Sequence, residues 1–406
     1  MKSKIALLGA AATLAMMPVS AMAERGDSGH LNLIYWQAPS IMNPYLSGGT
    51  KEQEASSIVL EPLARYDENG VLVPWLVDEI PTVENGGVSE DLMSITWRLS
   101  EGLVWSDGSP VTSADVAFTA EYCMHPEGGC AQLRNFNGVE SVEVVDDLTV
   151  TVHFGAATPV PYGPFVSANS PIIQRAQFEN CLGPRAPECT DANFMPIGTG
   201  AFRVTDFRPN DVIQLEANPN YRDPALPHFA TITLKGGGDA ASAGRAVMET
   251  GEMDYAWNLQ LAPDVIATMA QGGQGVPISA FGTLVERIEM NMTDPSPDLP
   301  PEVRSTRAAP HPVLSDIRVR EALSRAIDRE LLVEIGYGTA GRPACNLVPN
   351  PPIFASEANQ NCLVQDLDRA RALLEEAGWT PGPDGIRVNA DGRRLVLDYQ
   401  TSTNAV

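Results

Sequence analysis

Basic residues are scarce in this chain of 406: Lys and Arg number 27 against 51 Asp and Glu, a formal net charge of -24 at pH 7. Phosphate binding draws on Lys and Arg to displace counterions, so a surface this acidic repels DNA, RNA and anionic lipid. Nucleic acid is excluded as a partner on that ground. Long apolar runs are missing as well. The N-terminal run IALLGAAATLAMM is shorter than the ~20 residues a membrane span needs, and no later stretch is as apolar. Histidine is rare: His30, His125, His153, His228 and His311 are scattered along the chain, and no C-x-x-C occurs. A metal centre therefore has no sequence signature. Past the N-terminal segment there is no G-x-S-x-G, H-E-x-x-H or S-x-x-K motif, so the common hydrolase signatures are missing too. The acidic surplus is spread evenly, as on a solvated surface.

One motif invites a wrong turn. Gly198-Thr199-Gly200, in NFMPIGTGAFRVTDF, looks like a phosphate cradle. A P-loop needs a following Lys-Ser or Lys-Thr, and a dinucleotide fingerprint needs a helix after its glycines. Here AFRVTDF follows, alternating apolar and polar like a strand. The glycines read as a tight turn at a strand entrance, supplying positive φ.

What is present begins with an export signal over residues 1–23. Lys2 and Lys4 precede the short apolar run, and Ala21-Met22-Ala23 offers small residues for cleavage. No Cys stands at that point to carry a lipid anchor, so the mature chain is expected to be soluble and exported. The six cysteines fall in local couples that bracket Gly- or Pro-bearing loops: Cys123 with Cys130, Cys181 with Cys189, Cys345 with Cys362. Spacing alone leaves the connectivity open; proximity and an oxidising compartment favour the local pairs. At 44% hydrophobic and 19% charged the chain is globular, with length for roughly two or three domains.

Strand and helix patterns alternate. LNLIYW, SITWRLSEG, AFRVTDF, VIQLEANPNY, ATITLK and RRLVLDYQ read as strands, and VESVEVVDDLTVTVHF as a hairpin turning at Asp146-Asp147. In that hairpin Val150, Val152 and Phe154 share one face. Thr112 and Asp115 have capping-box spacing ahead of a helix. ASAGRAVMETG reads as a helix ended by Gly251, DIRVREALSRAIDRELLVEIGYG as one long helix, and LDRARALLEEAGW as another with Gly378 at its C-cap. The mixture predicts α/β lobes. Trp36, Tyr255 and Trp257 lie at the ends of strand-like runs, where open α/β sheets bind ligands and where core residues also sit.

The stretches EPLARYDENGVLVPWLVDE, ITWRLSEGLVWSDGSPVTSADVAFTAEY, PIGTGAFRV, ANPNYRD, METGEMDYAW, DIRVREALSRAIDRELL and LDRARALLEEAGW, in that order over residues 31–379, resemble the periplasmic solute-binding proteins of ABC peptide and nickel importers, family 5. The resemblance implies a type II periplasmic binding protein-like α/β fold of the peptide-binding subclass, with a ligand cleft between lobes. It implies a discontinuous domain I (residues 24–55 and 191–285), an inserted domain II (56–190) and a domain III (286–406). PIGTGAF would be the return from the inserted lobe. Relatives run further, so domain III is expected to be incomplete here and the chain a truncated form.

The implied function is non-enzymatic: capture of a di- or oligopeptide or peptide-like solute and delivery to ABC permease subunits, by a monomer without cofactor. In peptide-binding relatives the loop after the first strand pairs its backbone with the ligand; here it matches Ser47, Gly48, Gly49 and Thr50. Trp257 is placed in the cleft wall and Asn404 near the pocket. A nickel or metal-chelate binder is the alternative within the family. A secreted hydrolase with a composite site, or a truncated remnant that binds nothing, are alternatives of other classes.

Overall fold

A computed structural model of the chain describes residues 25–282, 285–350 and 352–401. The residues read as a signal peptide, 1–23, lie outside that range, as does Asn404. In chain order the first elements are β1 (His30–Tyr35), α1 (Thr50–Ser56), β2 (Ala64–Tyr66), β3 (Leu72–Pro74), β4 (Ser94–Arg98), α2 (Ser113–Met124), β5 (Val139–Asp146) and β6 (Thr149–Phe154). Two short helices, α3 (Arg175–Phe178) and α4 (Thr190–Phe194), lead into β7 (Phe202–Arg208), β8 (Val212–Ala217), β9 (Thr231–Gly236), α5 (Ala240–Met248), β10 (Tyr255–Ala256) and α6 (Pro263–Ala270). The last part holds α7 (Ile317–Ala326), α8 (Arg329–Gly336), α9 (Leu367–Glu376) and the two-residue strands β11 (Thr380–Pro381) and β12 (Arg387–Val388).

A five-stranded sheet in the order β10-β1-β9-β8-β7 gathers strands from distant parts of the chain. β1 lies between β9 and β10 and runs parallel to both, while β8 is antiparallel to β9 and β7 to β8. Helix α5 makes the crossover from β9 to β10. Leu33, Tyr35, Ile213, Leu215, Ile232, Leu234 and Trp257 of this sheet pack with Met42, Ala55 and Val59 from the α1 region into one core. A second and larger core is built from the intervening residues, with Trp97, Trp105, Phe118, Phe165 and Phe178 at its centre. It includes the three-stranded sheet β4-β6-β5, in which Val150, Val152 and Phe154 are buried on one face as their alternation predicts. Thr112 opens α2, its N–H donating to the Asp115 carboxylate at 2.9 Å. A third and small core joins Val313, Val319 and Trp379, beside a packed trio of Ala322, Ala370 and Leu373 between α7 and α9.

The three local cysteine couples are disulfides: Cys123–Cys130, Cys181–Cys189 and Cys345–Cys362, with Cα separations of 5.1, 5.8 and 5.8 Å. Two helix and strand readings are corrected. DIRVREALSRAIDRELLVEIGYG is two helices, because Ile327 is extended and Asp328 caps α8 by accepting the Leu331 N–H at 3.0 Å. An Asp side chain competes for backbone N–H groups and so favours a cap over a helix interior. RRLVLDYQ forms no strand; a single bridge joins Arg394 to Val388, and a strand without a ladder partner has nowhere to place its backbone hydrogen bonds.

The reading of Gly198-Thr199-Gly200 is corrected in its cause. Neither glycine has positive φ; both are needed because another backbone passes against them. A Cβ on Gly198 would stand 1.9 Å from the Val59 carbonyl oxygen, and one on Gly200 would stand 2.6 Å from that of Ile58. Between these contacts Gly200 N–H donates to the Val59 carbonyl at 2.9 Å. Thr199, buried, donates its hydroxyl to Glu61 at 2.8 Å. Glu61 is only 4% exposed; it also accepts the Trp75 indole N–H at 2.8 Å and pairs with Arg222 at 2.6 Å.

Because the obstacle at Gly198 is backbone and cannot swing aside, Gly198→Ala is expected to cost about 3 kcal/mol, at the upper end for overpacking. Gly48→Ala, whose new methyl would meet nothing within 4 Å, is expected to change stability by less than about 0.5 kcal/mol. Urea unfolding midpoints of the two variants beside the parent check the contrast; equal midpoints would show that the crossing has room to relax.

Candidate ligand-binding site

The loop Ser47–Thr50 lies where the first two cores meet. Met42 before it belongs to the five-stranded sheet's core and Tyr45 to the larger one. Asn43 anchors the approach. Fully buried, it donates to Tyr122 Oη at 3.0 Å and Asn193 Oδ1 at 2.9 Å, and accepts the Tyr45 N–H at 3.0 Å. Tyr45 donates its hydroxyl to the Pro171 carbonyl at 2.5 Å. Burial pushes the Tyr45 phenol far above its ordinary range, and it pushes the Tyr122 phenol up to about 12. Both rings therefore stay neutral and act as fixed hydrogen-bond posts.

The loop is pinned from both sides. The buried Gln132 amide donates to the Ser47 and Pro44 carbonyls at 3.0 and 3.3 Å. The Ser47 hydroxyl accepts the Gly49 N–H at 3.1 Å. Glu52, buried on the inner face of α1, accepts from Ser40 N–H at 3.1 Å, Ser40 Oγ at 3.0 Å and Ser47 Oγ at 3.3 Å, and pairs with the Lys51 ammonium. Gly49 is extended at φ -77, ψ 135. A Cβ there would stand 2.3 Å from Glu52 Oε2, so glycine keeps the carboxylate close to the backbone. The outward side is unoccupied: Gly48 is exposed, and neither its N–H nor that of Thr50 finds a partner among the described residues. The result is a short, rigidly held length of backbone with free donors at a seam between two cores.

The aromatic residues divide. Trp257 is 4% exposed, stacked on Tyr35 at 5.3 Å and 14°, so it stands in the core behind α1. Its indole N–H donates to Glu54 Oε2 at 2.6 Å. Trp36 is half-buried, 6.4 Å from Trp257, and donates to the Asn258 carbonyl at 2.9 Å. Tyr255 is the exposed ring of the group, at 47%. These residues sit at the carboxyl ends of the parallel strands β1 and β10, where α/β sheets bind ligands. Sequence reasoning passed over Glu52, Glu54 and Gln132; no motif marks them, and only the contacts of Glu52 and Gln132 with the loop and of Glu54 with Trp257 give them a role. Among the described residues no group of three or more His, Cys, Asp or Glu is placed to hold a metal ion, and no helix is long and apolar enough to cross a membrane.

The match to known proteins covers most of the chain. Residues 71–406 match the model of bacterial extracellular solute-binding proteins, family 5. The chain belongs to that family. It is similar to the glutathione-binding protein GsiB of Escherichia coli (strain K12), with 25% identity over 344 residues, 84% of this chain and 60% of that protein. Among solved structures it resembles the ABC transporter substrate-binding protein CtaP of Listeria monocytogenes, at TM-score 0.68 and 22% identity over 87% of this chain and 66% of that one. It also resembles the oligopeptide-binding protein AppA of Bacillus subtilis in complex with a nonapeptide, at TM-score 0.61 and 19% identity over 92% of this chain and 68% of that one. These likenesses establish the periplasmic binding-protein fold. The chain spans about 60% of the length of GsiB.

Glu52 makes the loop's order depend on pH. Burial alone pushes its carboxyl up, but donation from Lys51 and from the Ser40 backbone and hydroxyl outweighs this, and the net shift is downward. A depressed folded-state value adds stability above the unfolded glutamate range, about pH 4.3, and that stability is lost as pH falls through the folded value. Glu52→Gln is expected to lower stability by about 3 kcal/mol near neutrality, as for one partner removed from a buried pair, and to flatten this part of the acid profile. Urea midpoints of parent and variant between about pH 3 and pH 6 check it; parallel profiles would show that Glu52 does not carry the dependence.

Proposed function

We propose that the chain is the extracytoplasmic solute-binding component of an ABC importer. It captures a peptide or peptide-like solute and presents it to permease subunits, without covalent chemistry. The observation that carries this is the pinned, outward-facing backbone at Gly48 and Thr50. Free N–H donors on either side of the extended Gly49 suit the main chain of an extended ligand, as in strand addition. Family membership supports the transport role, and the names of two relatives, one glutathione-binding and one seen with a nonapeptide, support a peptide-like solute. Ser47, Gly48, Gly49 and Thr50 are the proposed ligand contacts. Trp257 acts from behind through Glu54, and Asn404 is kept as a contact on the resemblance alone.

Two large cores either side of the loop support the division into domain I (24–55 and 191–285) and an inserted domain II (56–190), and the third core supports domain III (286–406). Closure of such lobes on a ligand converts differential affinity into a recognisable state for the permease. The acidic surface, the three disulfides and the N-terminal pattern support secretion to the periplasm, where the protein acts as a monomer.

Mass spectrometry of small molecules released on denaturing protein taken from a periplasmic extract tests the solute class. A ladder of peptides is the expected result; a metal chelate or one non-peptide molecule would replace the peptide reading with the alternative. Thr50→Pro isolates the backbone contact. Pro is tolerated at the first position of a helix, and the extended Gly49 suits a residue before Pro. Loss of one N–H is expected to weaken peptide binding about tenfold while the melting temperature stays within a degree or so. Unchanged affinity in calorimetry would place the peptide elsewhere.

A further inference from the structure

Three carboxylates lie in the segment between residues 50 and 61, and two are neutralised. Glu52 pairs with Lys51 and Glu61 with Arg222. Glu54 has no Lys, Arg or His partner among the described residues, and the one hydrogen bond its carboxylate makes there is that which Oε2 accepts from Trp257. It is exposed, four residues along α1 from Thr50 and hence on the same helix face as the open loop. Its neighbours are rings. The β1–β10 register sets Leu33 beside Tyr255, so Tyr35, Tyr255 and Trp257 project from the sheet face that α1 covers. The bond from Trp257 sets the Glu54 carboxylate beside this face; burial first, and then the charge of Glu54, push the Tyr35 and Tyr255 phenols up.

A carboxylate flanked by aromatic faces and lacking a countercharge is a complement for a cation: the carboxylate takes charge-assisted hydrogen bonds, and ring faces attract positive charge. The same arrangement repels an anion. We propose that Glu54, with Tyr255 beside it, anchors a cationic group of the solute, an ammonium or guanidinium. This assignment deepens the solute-binding role proposed above and rests on it for the identity of the carrier molecule. Partial burial pushes the Glu54 carboxyl up, with donation from Trp257 opposing it, as suits an acid still waiting for its countercharge. The cation comes either from a peptide's terminus or from a basic side chain, and the two sources are separable.

The test is titration of the purified full chain by intrinsic tryptophan fluorescence, in the parent and in Glu54→Gln. One probe pair is trialanine and its N-acetyl form. The other is N-acetylated alanyl-lysyl-alanine and its norleucine counterpart. In the parent, the cationic member of at least one pair is expected to bind about tenfold tighter than the neutral member. In Glu54→Gln that ratio is expected to fall to about one. Tyr255→Leu, a change at an exposed ring that leaves the carboxylate in place, is expected to reduce the ratio about threefold; it provides a second reading should Glu54→Gln fail to fold. Equal affinities within both pairs in the parent would overturn the proposal, and so would a preference that survives in Glu54→Gln. Should no tripeptide bind, the peptide reading fails, and cadaverine decides the cation site by itself. Glu54-dependent quenching by the diamine upholds the site, and its absence overturns it.

Discussion

A single carboxylate, that of Glu61, ties together segments that are far apart in the chain. Trp75 just after β3, Thr199 from the return crossover and Arg222 after β8 all direct hydrogen atoms at it. The ring of Trp75 is in turn covered by two guanidiniums, Arg65 at 3.3 Å and Arg222 at 4.8 Å. A buried charge is costly unless paired and fully hydrogen-bonded, so the three partners are obligatory once Glu61 is inside. Beside this node Gly198 and Gly200 let the crossover lie directly on Val59 and Ile58. The connection between the two large cores is thus a fastening of backbone on backbone, secured by one satisfied ion. Val59 and Ile58, on which the crossover lies, follow α1 directly, so the fastening also holds the chain where α1 ends.

That fastening places rigidity and openness side by side. Residues 42–47 are held by Asn43, Tyr45 and Gln132, all buried, and Glu52 closes the turn from below. The exposed residues of the loop, Gly48 and Thr50, are left without a backbone partner for their donors among the described residues. Preorganised donors cost less ordering entropy when a ligand arrives, so the fixed inner side gives the free outer side its use. The same logic holds for Glu54, whose orientation is set by Trp257 while its outer face stays in water. The third core is more sparingly built. No residue of α8 is buried, and Leu331, Leu332 and Ile335 on it are exposed.

Some of this was legible beforehand and some was not, for reasons that differ from residue to residue. The β5–β6 hairpin, the Thr112–Asp115 cap and the Gly378 terminus are local: their hydrogen bonds close within a few residues, so spacing suffices. The disulfide partners were favoured by proximity for the same reason. The break at Asp328 was hidden, because an Asp within an amphipathic run reads as helix surface until its side chain is seen to take the Leu331 N–H. The strand expected at RRLVLDYQ failed because alternation describes a face and does not supply a neighbour. Trp257 could have been core or cleft wall on its pattern; stacking on Tyr35 put it inside.

The sequence alone determined the acidic, α/β character of the protein, most of its strands and helices and, through collinear motifs, its family. Those properties rest on composition, period and short-range geometry, which are written residue by residue. Only the tertiary structure decided why Gly198 and Gly200 are glycines, which carboxylates of the α1 region are neutralised, and which donors face outward. Each of these depends on what a distant segment places within about 3 Å, the reach of a hydrogen bond, and no periodicity along the chain encodes that proximity.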